Sequence, residues 1–347
     1  MSAQFDAVRP TPVLEVRDLV KHYPIKGGLF SSNQAVHALD GVSFELARGE
    51  TLAVVGESGC GKSTLARCIM RLDNLTSGAV LLEGRDITLA RGKALRDLRR
   101  ALQIVFQDPH ASLNPRWSIA SLIMDPMRLH RLGDASSRRE RAAELLKTVG
   151  LGPEFMNRYP HELSGGQRQR VAIARALAVH PDIIVCDEPV SALDVSIQAQ
   201  VINLLKRLQK TFGIAYVFIS HDLSLVKHIS DRVAVMYLGQ VVELADTTSV
   251  RRHVMHPYSQ ALFSAAPVAD PRAAAKKRRI ILIGDVPSPI NPPTGCRFHT
   301  RCPYAEERCA VEAPSLRVVD DRLVRCHFAG QPGFPPPAAP IESEVSR

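Results

Sequence analysis

The string Gly56-Glu57-Ser58-Gly59-Cys60-Gly61-Lys62-Ser63 has the form GxxxxGK[ST] and is followed by Thr64. It comes directly after the short apolar run Thr51–Gly56 and before Leu65–Leu72, whose apolar residues recur at helical spacing. A strand, a glycine-rich turn and a helix in that order form the setting in which such a string cradles phosphate. Glycines let consecutive backbone N–H groups face one point. The helix N-terminus adds partial positive charge there. Lys62 supplies a full cation for the β- and γ-phosphates, and the Ser63 hydroxyl a ligand for Mg²⁺. A chance glycine-rich turn is the alternative, and the flanking pattern argues against it.

A second element belongs on a neighbouring strand. Ile183-Ile184-Val185-Cys186 is apolar and ends in Asp187-Glu188. Two carboxylates at the C-terminal end of a buried strand lie where ligands sit in open α/β sheets. Asp187 is expected to hold Mg²⁺ through water and Glu188 to polarise the attacking water. The run Tyr216–Ser220 reads as another central parallel strand. Val233–Leu244 reads as a hairpin turning near Leu238-Gly239-Gln240, and a helix runs from near Ser164 to Leu177–Ala178. Residues 91–150 are charged and helix-favouring, with breaks expected near Pro109, Pro115 and Pro126. Residues 1–12 read as a loose tail and Gly27–Asn33 as a loop. No internal repeat is visible.

Leu163-Ser164-Gly165-Gly166-Gln167 narrows the reading. Ser164 can cap a helix that begins with two glycines, giving a second phosphate-facing surface. Here the chain resembles the ATP-binding subunits of ABC transporters, whose signature LSGGQ it matches. The resemblance implies an α/β fold. Its P-loop core has a RecA-like parallel sheet, an antiparallel β subdomain and a helical signature subdomain near 107–180. It also implies that ATP is sandwiched between the Lys62 loop of one subunit and Leu163–Gln167 of another. Tyr23 resembles the aromatic that stacks on adenine. Gln107, in VFQDP, resembles the Q-loop glutamine that contacts Mg²⁺ and water. Ser191-Ala192-Leu193-Asp194 resembles the D-loop, with Asp194 acting across the dimer. His221, in FISHD, resembles the switch histidine on the γ-phosphate. The implied catalytic set is Lys62, Gln107, Glu188 and His221. Mg²⁺ falls to Ser63, Gln107 and Asp187, and the rest of Gly56–Thr64 binds the nucleotide.

The fold resemblance runs over 13–265, and composition shifts beyond it. Lys276-Lys277-Arg278-Arg279 leads into proline-rich VPSPINPPTG, and Cys296, Cys302, Cys309 and Cys326 follow within 31 residues. Their C-x5-C-x6-C-x16-C spacing is not that of a zinc ribbon or a ferredoxin. A late cluster in a chain with reduced thiols suggests metal before disulfide. SLNPR at Ser112–Arg116, RYPHELSGGQRQR, His256-Pro257-Tyr258 and GDVPSPINPPTGCRFHTRCPYA resemble the dipeptide/oligopeptide/nickel importer family. VKHYPIKGGLF and VMYLGQVVE resemble the second ATPase subunit of dipeptide permeases, which implies ATP hydrolysis that energises dipeptide uptake, with the same role in an oligopeptide or nickel importer as the alternative. That resemblance implies a C-terminal extension over 266–329 whose four cysteines hold a [4Fe–4S] cluster. Zinc is the alternative, His327 a bystander, and the role structural. Residues 330–347 read as a disordered tail.

Lys and Arg exceed Asp and Glu by 44 − 35 = +9, which suits nucleic acid, lipid, acidic partners or phosphate ligands alike. The basic run lacks interleaved aromatics, which disfavours nucleic acid. No window approaches 18 consecutive apolar residues, and MSAQFDAVRP has no charged-then-apolar leader, so neither a spanning helix nor secretion is expected. The resemblance instead implies a peripheral protein on the cytoplasmic face of the inner membrane. Its partners would be a second ATPase subunit in a heterodimer, two transmembrane permease subunits and an extracytoplasmic peptide-binding protein. Gln107 and residues 108–126, Trp117 included, would meet the permease. A non-transport ABC ATPase of translation or repair is the alternative from another class. It is disfavoured by a single core without sustained heptads. Cys60 and Cys186 read as small buried apolar residues, with Cys60 a candidate for thiol reagents shielded by ATP.

Overall fold

The computed structural model describes residues 12–25, 34–266 and 279–335. The expected Gly27–Asn33 loop, most of the N-terminal tail, Lys276–Arg278 and residues 336–347 lie outside them. The N-terminal strands are β1 (Leu14–Pro24), β2 (Ala35–Leu46), β3 (Thr51–Val55), β4 (Ser77–Leu82) and β5 (Arg85–Asp86). Then come β6 (Leu102–Val105), β7 (Ile183–Asp187), β8 (Ala215–Ile219), β9 (Arg232–Tyr237) and β10 (Gln240–Asp246), and finally β11 (Arg317–Val319) and β12 (Arg322–Val324). They form a four-stranded antiparallel sheet, β2-β1-β4-β5, and an eight-stranded mixed sheet, β11-β12-β10-β9-β3-β8-β7-β6.

The centre of the large sheet is parallel from β9 through β6. β3, β7 and β8 are buried at every position, which suits strands covered on both faces. One face packs Ile184, Cys186, Tyr216 and Phe218 against the helices Ile119–Leu129, Ala135–Thr148 and Gly165–Leu177. The other packs Leu52, Val54 and Val217 against the helix Lys62–Ile69 and the small sheet. The phosphate-loop helix therefore starts and ends earlier than its apolar spacing suggests, and Arg71 turns away in a left-handed conformation (φ 53°).

Within 91–150 the structure corrects two expectations. Leu102–Val105 is a strand, because its apolar run pairs in parallel with β7 and fills the sheet edge. Pro126 does not break the chain but lies inside the helix Ile119–Leu129. A proline costs its helix one ladder bond, and burial of Ile119, Ile123 and Met127 outweighs that loss.

The extension is built onto the core. β12 joins β10 through Glu243↔Val324 and Leu244↔Leu323, and β11 closes the hairpin. Phe298 is buried against Tyr237, edge-on at 5.2 Å, and against Tyr258. Residues 330–335, expected in the tail, belong to this packing, since Phe334 meets the rings of Tyr304 and Phe328.

Candidate functional site

Gly61 begins the phosphate-loop helix at φ 107°, and a Cβ there would lie 2.3 Å from the Ala38 carbonyl oxygen. Only glycine fits. Lys62 is buried, and its Nζ donates to the carbonyls of Gly56 (2.8 Å) and Glu57 (2.9 Å). The loop faces a cavity of about 410 Å³ lined by Ser58, Gly59 and Gly61–Thr64, together with Tyr23, Gln107, Glu188 and Pro289. Tyr23 donates its hydroxyl to Asp73 at 2.7 Å, and Arg67 grips the same carboxylate. The Arg67 bond is the main reason the Asp73 pKa falls to about 2, whereas burial, aided by Asp73, pushes Tyr23 up to about 12. The ring is thus anchored through its hydroxyl at the cavity wall.

Parallel register brings the remaining groups together. Val105 pairs with Cys186, so Gln107 emerges beside Glu188. Asp187 pairs with Ile219, so His221 emerges on the other side. Gln107 Nε2 donates to Glu188 Oε2 at 3.1 Å, and His221 Nδ1 lies 3.3 Å from the same oxygen. Glu188 itself adopts φ 46°, which turns the chain sharply at the strand end. Ser63 Oγ donates to Asp187 Oδ1 at 3.1 Å, and burial raises the Asp187 pKa. The Ser63 hydroxyl, the Asp187 carboxylate and the Gln107 amide are hard oxygen donors of the kind Mg²⁺ takes.

Ser164 and Gln167 cap the helix Gly165–Leu177 reciprocally: Gln167 N donates to Ser164 Oγ and Ser164 N to Gln167 Oε1. A Cβ on Gly166 would lie 2.6 Å from Ile197 Cγ2, so this glycine sets the close packing of two helices. None of Leu163–Gln167 lines the Lys62 cavity, and neither does Asp194, which is exposed at the start of the helix Val195–Phe212. Within one chain Leu163–Gln167 and the Lys62 cavity share no lining residue.

Cys60 is buried, and burial raises its thiol pKa despite Lys62 nearby. That supports the packing reading and weakens the expectation of a reactive thiol. Three groups at or beside the loop were given no individual role from the sequence, although all three fall in strings that resemble the importer family. Arg301 donates to both Glu57 carboxylate oxygens (2.8 and 3.3 Å), the Tyr258 hydroxyl accepts from Glu57 N–H (2.9 Å), and the Pro289 carbonyl accepts from His37 N–H (2.9 Å). Arg301 lies in the family-resembling string before Cys302, but its pairing with Glu57 is visible only in the fold.

Cys296 donates its N–H to the Cys309 carbonyl at 2.8 Å. Burial pushes the thiols of Cys296 and Cys302 up to about 11 and about 12, and negative charge on the neighbouring cysteines adds to it. No three of the four cysteine sulfurs lie within 4.8 Å of one another, because the only such group among the described residues is formed by other side chains. Four thiolates around one zinc ion, at about 2.3 Å each, would be about 3.8 Å apart. Among the described residues no helix is long and apolar enough to cross a membrane.

A family model described as ABC transporter matches residues 39–191, and one described as oligopeptide/dipeptide transporter, C-terminal region, matches 242–309. The chain is 52% identical to the oligopeptide transport ATP-binding protein AppF of Bacillus subtilis (strain 168), over 93% of this chain and 99% of that protein. It is 51% identical to the dipeptide transport ATP-binding protein DppF of Haemophilus influenzae, over 91% and 96%. Among solved structures it resembles a dimeric ATP-binding cassette in a post-hydrolysis state bound to ADP and Pi. The TM-score is 0.60 and identity 31%, covering 67% of this chain and 98% of that one. It also resembles cbiO1 of Clostridium perfringens, part of the cbiONQ transporter complex (TM-score 0.61, 30% identity, 70% and 92% covered).

Proposed function

The chain belongs to the family of ATP-binding subunits of dipeptide and oligopeptide ABC transporters, and on that premise we propose that it hydrolyses ATP to energise uptake of short peptides. Dipeptides are the first reading, and the similarity to an oligopeptide transport subunit keeps longer peptides as the second. The same relatives argue against a non-transport role. The observation that carries the mechanism is the convergence of Gln107 and His221 on one Glu188 oxygen at the mouth of the Lys62 cavity.

In this reading the Tyr23 ring meets adenine and the Gly56–Thr64 amides hold the phosphates. Lys62 leaves its two carbonyls to bind the β- and γ-oxygens. Ser63, Asp187 and Gln107 would hold Mg²⁺, which when bound neutralises phosphate charge. Glu188 orients and polarises water, and His221 steadies the γ-phosphate. Leu163–Gln167 and Asp194 act on nucleotide held by a second ATPase subunit, consistent with their lying off this chain's own cavity.

The ATPase domain is assigned to 13–265, with its helical part at 107–180, and the extension to 266–329. Cys296, Cys302, Cys309 and Cys326 would ligate a [4Fe–4S] cluster. Burial of Cys309 and Cys326 and half-burial of Cys296 and Cys302 support an enclosed centre at this place, and the resemblance to the importer family favours the cluster over zinc. An anaerobic iron and sulfide assay tests this, and colourless zinc-loaded protein overturns it. Two permease subunits and an extracytoplasmic binding protein complete the assembly, with this chain peripheral on the cytoplasmic face of the membrane. Trp117, 37% exposed and under the Arg128 guanidinium, belongs to the permease-facing surface.

The test is Glu188→Gln in the assembled transporter. Phosphate release is expected to fall by about 10²–10⁴-fold while ATP binding is retained. Near-normal turnover would remove Glu188 from the role given to it.

A further inference from the structure

We propose that His22, His37 and Asp40 form a binding site for a divalent transition-metal ion of the zinc class. The site is separate from both the nucleotide pocket and the cysteines, and does not depend on the function proposed above.

The strand pairing creates it. In the β1–β2 register His22 and His37 are direct cross-strand partners, which places both imidazoles on one face. Their ring centroids are 4.0 Å apart. Asp40 follows three residues after His37 on β2. Its Oδ1 lies 3.6 Å from His22 Nε2, and its Oδ2 lies 3.9 Å from His37 Nδ1. One ligand atom from each of the three lies within 4.8 Å of the others, and no other group of three among the described residues meets that condition.

Those separations are too long for hydrogen bonds. They are close to the edge of a tetrahedron around zinc, about 3.3–3.4 Å for ligands at about 2.0–2.1 Å. A second observation agrees. His22 Nε2 and His37 Nδ1 are both buried from water and have no hydrogen-bond partner. Orphaned buried nitrogens are costly, and two aimed at one carboxylate call for a third party. A proton on each ring would not serve, because two cations would then sit 4.0 Å apart beside Arg297. An ion shared by both rings and the carboxylate satisfies all three groups.

The surroundings resemble an outer shell. Arg297 donates to Asp40 Oδ2 and to the Leu238 carbonyl, which fixes the carboxylate and leaves Oδ1 toward His22. A guanidinium beside the site works against loosely held hard cations. Two imidazoles select ions such as Zn²⁺, Co²⁺, Ni²⁺ or Cu²⁺ over Mg²⁺ or Ca²⁺. The site also ties separate parts together. His37 N–H bonds Pro289 of the extension, Arg297 follows Cys296, and Tyr23 and Val36, one residue along each strand, line the nucleotide cavity. A bound ion would stiffen the strand pair that presents Tyr23.

Co²⁺ is the probe, titrated into the full chain without nucleotide. Nitrogen and oxygen ligands give a visible d–d band without the intense near-ultraviolet sulfur-to-cobalt band that a cysteine site produces. The readout is the spectrum of the wild type minus that of His37→Gln, and minus that of His22→Gln. A nitrogen/oxygen band in both differences, displaced by Zn²⁺, is expected. Apparent affinity should be weakened by about tenfold or more in each variant. Metal-free thermal unfolding of both variants shows that they fold, and either one suffices if the other does not. Difference spectra without that band, or spectra of sulfur character identical in wild type and variants, would overturn the assignment.

Discussion

Glu57 occupies a variable position of the phosphate loop, yet it is tied to distant parts of the chain through both its side chain and its backbone. Arg301 meets both of its carboxylate oxygens, and Tyr258 accepts from its N–H. The Arg301 side chain is 8% exposed and that of Glu57 29%, so solvent screens the pair only in part. Arg301 does not line the Lys62 cavity and is therefore read as a positioning residue. Arg301→Gln should weaken ATP binding by about 1 kcal/mol, roughly fivefold, raising KM more than it lowers kcat. Arg301→Lys should restore part of the loss. Nucleotide titration and steady-state ATPase assays separate this from simple destabilisation, which would lower active protein and leave KM unchanged. The site residues legible in sequence were those whose chemistry depends on local order, such as Gly61-Lys62-Ser63 and Asp187-Glu188. Arg301 was not legible, because its partner lies 244 residues away in sequence.

At the scale of elements, parallel register does what no single motif can. Val105↔Cys186 and Asp187↔Ile219 set Gln107 and His221 on either side of Glu188. The helix Pro257–Ser264 makes a second case. Its N-cap, His256, is buried and accepts from Tyr258 N–H through Nδ1, while Glu243 takes the His256 N–H. Burial lowers its pKa to about 3. A depressed folded value means that the unfolded chain binds a proton the folded chain refuses. Its contribution to stability is complete above about pH 6.5 and is lost as pH falls from there toward about 3, by up to about 1.4 kcal/mol per pH unit. His256→Asn keeps a capping side chain that does not titrate. Urea unfolding between pH 7 and 4.5 should show a shallower loss of stability in the variant than in the wild type. Parallel curves would place the proton uptake elsewhere. Helix breaks were the poorest reading at this scale. Pro126 is a break by local rule, but tertiary burial of its neighbours carries the helix through it.

For the whole molecule, the decisive fact is that Leu163–Gln167 does not line the cavity of Lys62. On the role proposed for Leu163–Gln167, a motif that lies off this chain's own cavity completes a site only by association. ATPase activity per chain should therefore fall as the isolated protein is diluted and be recovered with its partner subunit. A rate independent of concentration and equal to that of the assembled transporter would contradict this. The extension shapes the molecule too. It contributes two strands to the main sheet and buries Phe298 beneath Tyr237 and Tyr258, so it packs as part of the core rather than as a loosely attached appendage.

By itself the sequence determined the phosphate loop, the strand-end carboxylates, the capped signature helix and the family. Each is a short contiguous string whose backbone needs are met locally. Only the tertiary structure decided that Arg301 clamps Glu57, that His22 and His37 converge on Asp40, and that the extension joins the sheet. These depend on pairing register and burial between segments far apart in the chain, which local propensity does not encode.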